Sequence, residues 1–370
     1  MASNLKVAIV CDWLTGIGGA ERVVLELHKL YPEAPIFTSQ YDPSKIDWFL
    51  DADIRTTWLQ RLPKRLKKFL PLLRAWTFSR LDLSDYDLVI SSSGAEAKGV
   101  KTGKNTVHVC YMHSPTQYYW IRSQEYMARP GFPIGLNWLA RLGLRLLIDP
   151  LKRWDFRAAK HPTHIITNST HTQAMIKKHY RRESSVIYPP VETDRFKLRG
   201  TPVLRHGFVV AGRQTPYKRI DLAIAACNEL KVPLVVIGNG PEHKRLEKMA
   251  GRNITFLTNV NDNDIVEHFQ SALGFIFPNV DDFGIVAVEA LAAGTPVIAY
   301  KKGGALDYII DGKTGLFFDK QTVKSLVPAL ETALTKSFKY DAISESAKQF
   351  SVAEFSRNTQ EFITQALANK

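Results

Sequence analysis

The chain has 370 residues, of which 45% are hydrophobic and 23% are charged, a composition typical of a globular protein with room for two domains. Its 49 Lys and Arg outnumber 36 Asp and Glu, and the net charge of +13 predicts an anionic partner such as nucleic acid, anionic lipid or a phosphorylated substrate. Cys11, Cys110 and Cys227 are far apart in apolar segments, which favours buried free thiols over disulfides. No apolar run is long enough to span a bilayer, so we expect a soluble cytoplasmic protein.

Short β-branched runs alternate with helical patterns along the whole chain. The first series is KVAIV, GGAERVVLELHKLY, PIFTS, DLVISSS, TVHVCYM, HIITNS, THTQAMIKKHY and SVIYPPV. A second series begins after Thr201 with GFVVAG, RIDLAIAACNEL, PLVVIG, PEHKRLEKMA, ITFLT, IVEHFQSA, GFIFP, IVAVEALAAG and PVIAY. This alternation predicts two α/β domains with doubly wound parallel sheets, over residues 1–190 and 191–351. Ligands of such sheets bind at the carboxyl ends of the strands.

A glycine-rich loop follows the first predicted strand. In DWLTGIGGAER, Gly16, Gly18 and Gly19 permit close backbone approach, and the next helix directs its N-terminus toward any bound anion. A simple tight turn is an equal alternative. Glu21 stands where a dinucleotide fingerprint requires glycine, which argues against NAD.

Two further loops carry candidate site residues. His113 ends the strand TVHVCYM and is either a site residue or a structural hydrogen-bonding histidine. Arg213 and Lys218 follow the strand GFVVAG and precede a helix, where two cations and the helix dipole favour a pyrophosphate. A solvated basic loop is the alternative to this clamp.

Acidic residues interrupt an apolar stretch at FPNVDDFGIVAVEALAAG. Asp281 and Asp282 follow a predicted buried strand and could cap the next helix. Glu289 lies within that helix among Ala, Val and Leu, so its carboxylate needs a partner, and a sugar or ribose diol is a natural one.

These motifs together resemble a known family. An acid-x7-acid pattern after FxFP, combined with GRxxxYK, is similar to the retaining family-four glycosyltransferases of GT-B fold. DWLTGIGGAERV, YMHSPTQYYW, VIYPPVETDRF and DDFGIVAVEALAAGTPVIAY resemble bacterial mannosyltransferases of O-antigen and cell-surface polysaccharide assembly. The resemblance implies two Rossmann-like domains facing across a cleft, an acceptor-side domain first and a nucleotide-sugar donor domain second. It also implies that a helix at about 352–370 packs back on the first domain.

The resemblance also implies roles for individual residues. Arg213 and Lys218 would hold the donor diphosphate, and Glu289 would hold the ribose. Asp281 would lie near the donor sugar, at a position where the family usually has Glu. The remaining implied contacts are the backbone of Phe283, Gly284 and Ile285 on sugar hydroxyls, Gly238 beside the nucleoside, Gly18 and Gly19 beside the phosphates, His113 near the reacting carbon, and Glu21 on the acceptor side.

The function that this resemblance implies is retaining hexosyl transfer, with mannose from GDP-mannose, to a lipid-linked or membrane-surface glycan acceptor. The same chemistry with a UDP-sugar and a non-catalytic sugar-nucleotide-binding module are the alternatives. We expect no cofactor and no metal, because Arg213 and Lys218 can neutralise the diphosphate.

A basic segment, RLPKRLKKFLPLLRAW, has apolar residues at helical spacing. It is typical of a helix on an anionic membrane surface, although a core-facing helix with a solvated basic face fits equally well. The candidate membrane residues are Lys64, Arg65, Lys67, Lys68, Phe69 and Trp76. Nucleic acid is the competing anionic partner, but no zinc, RNP-like or helix-turn-helix signature supports it. The density of positive charge, together with the lipid-linked acceptor that the resemblance implies, leads us to expect a peripheral protein at the inner face of the membrane.

Overall fold

The computed structural model describes residues 5–63, 71–123, 137–198 and 204–369. These residues form two compact units, which are described separately below. Unit 1 comprises Met1–Tyr188 and Ser356–Lys370, and unit 2 comprises Pro189–Phe355. The last helix, Val352–Ala368, thus begins in unit 2 and contributes its later residues to unit 1.

Unit 1 contains a seven-stranded parallel sheet with strand order β3-β2-β1-β4-β5-β6-β7. Its strands are β1 (Val7–Cys11), β2 (Ile36–Thr38), β3 (Ile54–Thr56), β4 (Leu88–Ser93), β5 (Val107–Met112), β6 (His164–Thr167) and β7 (Ser185–Val186). Its helices are α1 (Gly19–Leu30), α2 (Pro71–Arg80), α3 (Gln117–Trp120), α4 (Asn137–Ala158) and α5 (Thr170–Tyr180). The central strands β4 and β5 are buried along their whole length, as expected for a parallel sheet covered on both faces.

Unit 2 contains a six-stranded parallel sheet with strand order β10-β9-β8-β11-β12-β13. Its strands are β8 (Phe208–Ala211), β9 (Leu234–Ile237), β10 (Ile254–Leu257), β11 (Gly274–Phe277), β12 (Val297–Tyr300) and β13 (Gly315–Phe318). Its helices are α6 (Thr193–Phe196), α7 (Ile220–Leu230), α8 (His243–Met249), α9 (Asp262–Ser271), α10 (Ile285–Ala292), α11 (Val323–Thr335), α12 (Tyr340–Ser346) and the start of α13 (Val352–Ala368).

In both units the strand order reverses beside the first strand, at β1/β4 and at β8/β11. This is the doubly wound arrangement of Rossmann-like sheets, so the predicted fold class is confirmed. At such a reversal the crossover connections run in opposite directions and leave a crevice at the carboxyl ends of the strands. The loops after β1, β4, β8 and β11 are therefore the first places to look for a site.

Two strands were missing from the sequence prediction. Ile54–Thr56 forms the edge strand β3 and is mostly exposed, so it lacks the apolar run that marked the other strands. Gly315–Phe318 forms the opposite edge of the second sheet as β13, where GLFF pairs with β12. The three predicted free cysteines are confirmed as buried thiols. Among the described helices, none has both the length and the apolarity that crossing a bilayer requires.

Unit 1 encloses a fully buried ion pair. Lys98 Nζ lies 2.7 Å from Asp155 Oδ1, and both side chains are almost completely shielded from solvent. Lys98 Nζ also donates to Thr116 Oγ1 at 3.0 Å and to the carbonyl oxygen of Ala95. The Asp155 carboxylate accepts three further hydrogen bonds, from Thr116 Oγ1, Trp120 Nε1 and the Tyr180 hydroxyl. A pair with this many hydrogen bonds can offset the cost of removing two charges from water.

We expect Lys98→Met to lower the free energy of unfolding by about 3–5 kcal/mol, because the substitution leaves Asp155 as a buried charge without its cation. Urea unfolding followed by circular dichroism measures this loss. The matched control is Lys101→Met, since Lys101 pairs with Asp82 at 3.4 Å on the surface and should contribute less than about 1 kcal/mol. Equal losses in the two variants would show that the buried pair does not stabilise unit 1.

Candidate functional site

In unit 2 the loops after β8 and β11 meet at the reversal of strand order. Lys218 ends a short 3-10 helix, Pro216–Lys218, that follows β8, and Asp281 lies in the loop after β11. Lys218 Nζ lies 2.5 Å from Asp281 Oδ2, and each side chain is only 16% exposed. Lys218 and Asp281, which the sequence predicted as site residues 63 positions apart, are therefore brought into direct contact.

Arg213 is the second cation of this loop. It is exposed, and its guanidinium makes no ion pair with any residue that the structure describes, whereas its carbonyl oxygen accepts a hydrogen bond from the Thr215 N–H at 2.8 Å. The solvated guanidinium of Arg213 thus differs from the Lys218 ammonium of the same loop, which is paired with Asp281. Five planar donors on Arg213 suit an oxyanion better than a point charge would.

The loops after β8 and β9 approach so closely that glycine is required. A Cβ added at Gly238, where φ is +115°, would lie 2.4 Å from the Gly212 carbonyl oxygen. Gln214, which sequence reasoning missed, joins the two loops: its side chain donates to the Gly238 carbonyl at 2.7 Å and contacts His243 Nδ1 at 2.8 Å. Gln214 is fully buried. It follows Arg213, the predicted phosphate-binding residue, and bonds to Gly238, the predicted nucleoside contact.

The start of α10 is held by the loop that follows β12. Gly284 precedes α10 with φ +99°, and a Cβ there would lie 2.6 Å from Phe277 and 2.9 Å from the Tyr308 hydroxyl. That hydroxyl donates to the Phe283 carbonyl oxygen at 3.1 Å. Ile285 is the first residue of α10, and the first N–H groups of a helix have no acceptor within the helix. The backbone at Gly284 is thus fixed by its neighbours, and the predicted contacts of Gly284 and Ile285 with sugar hydroxyls stay predictions.

Glu289 lies one turn into α10 and is buried, with 8% of its surface exposed. Asp282 is half-buried beside Asp281, at the carboxyl end of β11. Gly284, and neither aspartate, is the N-cap residue of α10. The Asp281 carboxylate pairs with Lys218 instead.

In unit 1, Asp12 lies where the strand order reverses. Sequence reasoning did not single out this residue. Asp12 follows β1 and is buried, and its carboxylate accepts hydrogen bonds from the N–H groups of Gly94, Ala95 and Ala97 at 2.7–2.9 Å. Burial, followed by repulsion from Glu96, raises the pKa of Asp12 to about 6. The carboxylate fixes the loop after β4 against the end of β1.

His113 follows β5 beside this loop. Its Nε2 lies 2.8 Å from Ser92 Oγ on β4, and its ring lies 5.2 Å from the Tyr111 ring. Asn168 donates to its carbonyl oxygen at 2.9 Å. Burial lowers the pKa of His113 to about 4, so the imidazole is neutral near pH 7. The histidine is structurally bonded and lies at the carboxyl edge of the sheet, and its role as a site residue stays a prediction.

The glycine-rich loop leads into α1 with Gly18 in extended backbone conformation and Gly19 as the first helical residue. A Cβ added at Gly18 would lie 2.8 Å from Glu21 Oε2, so the Glu21 carboxylate folds back toward the helix N-terminus. A carboxylate is favourable there because of the helix dipole. The predicted phosphate contacts of Gly18 and Gly19 stay predictions.

Most of the predicted membrane segment, Lys64, Arg65, Lys67, Lys68 and Phe69, lies outside the described residues. Trp76 on α2 is described and is 49% exposed, with the Arg80 guanidinium 4.4 Å from its ring. Leu72 and Leu73 are exposed on the same helix. Arg74, in contrast, is buried and pairs with Glu96 through its Nε at 2.8 Å. One base of this basic stretch therefore stabilises the interior.

Across the described residues there is no group of three or more His, Cys, Asp or Glu side chains arranged to hold a metal ion. The predicted site residues fall into two sets, one in each unit. Lys218, Asp281, Arg213, Gly238 and the start of α10 surround the carboxyl edge of β8 and β11, whereas His113, Gly18, Gly19 and Glu21 belong to unit 1.

Two family models match consecutive parts of the chain: Glycosyltransferase Family 4 over residues 17–195 and Glycosyl transferases group 1 over residues 200–350. The chain therefore belongs to the family-four glycosyltransferases of GT-B fold. A solved structure with the same fold is that of Anabaena HepE in complex with UDP, at a TM-score of 0.70 and 18% identity, covering 97% of this chain and 100% of that one.

Two curated relatives are mannosyltransferases. The GDP-mannose-dependent alpha-(1-6)-phosphatidylinositol monomannoside mannosyltransferase of Mycolicibacterium smegmatis is 32% identical over 170 residues, 38% of this chain and 44% of that protein. Alpha-1,3/1,6-mannosyltransferase ALG2 of Candida glabrata is 25% identical over 383 residues, 84% of this chain and 79% of that protein. The match to the first thus spans less than half of that relative's length.

The lowered pKa of His113 has a measurable consequence. The pKa of histidine is ordinarily 6.5 and is about 4 in the folded protein, so the unfolded chain binds more protons between these values. The free energy that His113 contributes to folding must therefore rise as the pH increases from about 4 to about 6.5.

We expect the difference in unfolding free energy between the wild type and His113→Gln to grow across that pH window and to be constant above it. Urea unfolding at a series of pH values measures this difference, and the plateau above pH 7 is the internal control. A difference that does not vary with pH would show that the imidazole is not desolvated.

Proposed function

We propose that this protein is a retaining glycosyltransferase that transfers a hexose, specifically mannose from GDP-mannose, to a lipid-linked or membrane-surface glycan acceptor. The observation that carries the proposal is the contact between Lys218 and Asp281 at the strand reversal of unit 2, with the exposed cation of Arg213 in the same loop. A cation pair beside a sugar-orienting carboxylate is what a nucleotide-sugar diphosphate requires.

The chemistry follows from where charge develops. As the bond between the anomeric carbon and the diphosphate oxygen breaks, positive charge builds on the sugar ring and negative charge on the leaving group. Arg213 and Lys218 stabilise the leaving diphosphate most strongly in the transition state. The acceptor oxygen bonds to the anomeric carbon on the face that the diphosphate leaves, and its proton passes to the departing phosphate oxygen, so no protein base and no metal are needed.

Asp281 has two partners in this scheme. Its carboxylate accepts a hydrogen bond from Lys218 Nζ at 2.5 Å in the free protein. In the donor complex the same carboxylate would also accept a hydrogen bond from a sugar hydroxyl. The side chain is one methylene shorter than the Glu usual in the family, but contact with Lys218 already brings it to the carboxyl edge of β11. The backbone donors at Gly284 and Ile285 then bind further hydroxyls, and Glu289 binds the ribose.

His113 would contribute as a neutral imidazole, because burial keeps its pKa at about 4. A neutral ring can hydrogen-bond a sugar hydroxyl without repelling the positive charge that develops on the anomeric carbon. Ser92 Oγ and the packing against Tyr111 hold the ring in one orientation.

The donor assignment is supported by the two mannosyltransferase relatives, one of which is GDP-mannose-dependent by its name. The UDP bound to HepE supports the alternative, a UDP-sugar donor for the same chemistry. A non-catalytic sugar-nucleotide-binding module is the third possibility, and a transfer assay distinguishes it from both.

We expect GDP-mannose to raise the melting temperature of the wild type more than UDP-glucose does, in buffer containing EDTA, because a ligand stabilises the state that binds it. Arg213→Ala should weaken donor binding roughly tenfold to a hundredfold, as expected for the loss of charge-assisted hydrogen bonds. Arg252→Ala is the matched control, since Arg252 is another exposed arginine of unit 2.

Three other outcomes would change the proposal. Stabilisation by UDP-glucose alone would overturn the mannose assignment and keep the enzyme class. Binding of GDP-mannose with no transfer to a lipid-linked acceptor would favour the binding module. Equal effects of Arg213→Ala and Arg252→Ala would contradict the diphosphate clamp.

A peripheral membrane location is the second part of the proposal. Leu72, Leu73 and Trp76 expose apolar surface on α2, which contains the C-terminal part of the basic segment. Arg80 lies against the Trp76 ring. Apolar side chains beside cations are typical of helices that lie at an anionic interface.

We expect Trp76→Ser to weaken binding to phosphatidylcholine vesicles containing phosphatidylglycerol by about tenfold, since burying a large apolar side chain contributes about 1.5–3 kcal/mol. Vesicle co-sedimentation measures the change. Leu204→Ser is the control, because Leu204 is an apolar residue of unit 2 that is 88% exposed. If both variants bind vesicles like the wild type, α2 is not the membrane contact.

A further inference from the structure

An open pocket of about 510 Å³ lies on unit 1, lined by Trp120, Lys152, Arg153, Phe156 and Arg157. Four of these residues are on α4 and Trp120 ends α3, so rigid elements form the walls. Among the residues that the structure describes, the lining combines two aromatic rings with three cations and includes no acidic residue.

The aromatic wall is held in place by the buried ion pair of unit 1. Trp120 Nε1 donates to Asp155 Oδ2 at 2.7 Å, and Asp155 in turn binds Lys98 and the Tyr180 hydroxyl. The His179 ring packs 5.3 Å from the indole. With its polar atom bonded and its ring packed, the indole is fixed in one orientation before any ligand arrives.

Two of the cations are spaced so that their repulsion destabilises the helix. Arg153 and Arg157 are exposed four residues apart on α4, a spacing at which like charges repel. Within the described part of the chain neither guanidinium pairs with a carboxylate, and Arg157 Nε donates only to the Arg153 carbonyl oxygen at 3.3 Å. Lys152 Nζ is held 5.5 Å from the centre of the Trp120 ring.

The nearby carboxylate does not neutralise this charge. Asp155 is on α4 but is fully buried, and its oxygens are occupied by Lys98, Thr116, Trp120 and Tyr180. Burial lowers the pKa of His179, and the positive charges of Lys178 and Lys152 lower it further, so Lys178 also lies near this side of the pocket.

We propose that this pocket binds a phosphate or diphosphate that carries an apolar group. Arg153 and Arg157 bind the phosphate oxygens, because guanidinium groups match their geometry, while Trp120 and Phe156 pack against the apolar group. Such a ligand is either the phosphate that joins an acceptor glycan to its lipid or the headgroup of a bilayer phospholipid. Only the first of these sources rests on the proposed function.

Binding is tested by calorimetry with geranyl diphosphate, a soluble diphosphate with an apolar chain. The protein is the full chain with Arg213→Ala, which weakens the donor clamp and leaves the pocket intact. Arg153→Gln with Arg157→Gln should weaken binding by about tenfold or more, because each charge-assisted hydrogen bond is a strong one. Lys244→Gln with Lys248→Gln is the matched control, since it removes the same charge from exposed positions four residues apart on α8.

A second comparison tests the apolar wall. Phe156→Ser should weaken the binding of geranyl diphosphate and leave that of inorganic pyrophosphate unchanged. Loss of binding to phosphatidylglycerol vesicles in the Arg153/Arg157 variant would identify the ligand as a bilayer phospholipid, whereas an effect on geranyl diphosphate alone would identify the lipid-linked acceptor.

The proposal is overturned if the Arg153/Arg157 variant binds geranyl diphosphate as tightly as the Lys244/Lys248 control. It is also overturned if pyrophosphate binds as tightly as geranyl diphosphate and Phe156→Ser has no effect, since the pocket would then take any anion. Failure of the donor experiments would leave geranyl diphosphate binding unaffected, so the two proposals can fail separately.

Discussion

The ion pair between Lys218 and Asp281 is the constraint on which the candidate donor site depends. Where the strand order reverses, the crossover connections run in opposite directions. The loops after β8 and β11 therefore have no sheet hydrogen bonds to hold them together. The 2.5 Å contact joins these loops. Gly238 against Gly212, and Gly304 against Phe283, bring the neighbouring backbones so close that any Cβ would clash. Arg213 remains in solvent and has no ion pair with any of the residues that the structure describes.

In unit 1 a different interaction holds the loops after β1 and β4 together. Asp12 lies at the carboxyl end of β1, and its carboxylate accepts hydrogen bonds from three backbone N–H groups of the loop after β4. In unit 2, by contrast, the Asp281 carboxylate pairs with a lysine. The interior charges around it, Arg74 with Glu96 and Lys98 with Asp155, are paired and buried. The surplus of basic residues is therefore left to surfaces such as α2 and the pocket on α4, where anionic ligands can use it.

Alternating runs of β-branched and helical residues were enough to predict two α/β units with parallel sheets, because parallel strands need a crossover, usually a helix, between them. The same signal missed β3 and β13, whose edge positions leave them partly exposed. Lys218 and Asp281 could be predicted one by one from loops at strand ends, but their contact depends on strand order. Arg74 appeared to be one base of a surface segment, and only the fold shows that Glu96, 22 residues away, holds it inside. Asp12 and Gln214 carry no sequence signal beyond their position in a loop.

A double-mutant cycle on nucleotide binding tests the central claim most directly. The dissociation constants of GDP and UDP are measured by calorimetry for the wild type, Lys218→Ala, Asp281→Ala and the double variant. The account predicts that Asp281→Ala changes affinity when Lys218 is present and has little effect without it, a coupling of about 0.5–3 kcal/mol for side chains in contact. Effects that add within about 0.3–0.5 kcal/mol would contradict a shared role for the pair in holding the diphosphate.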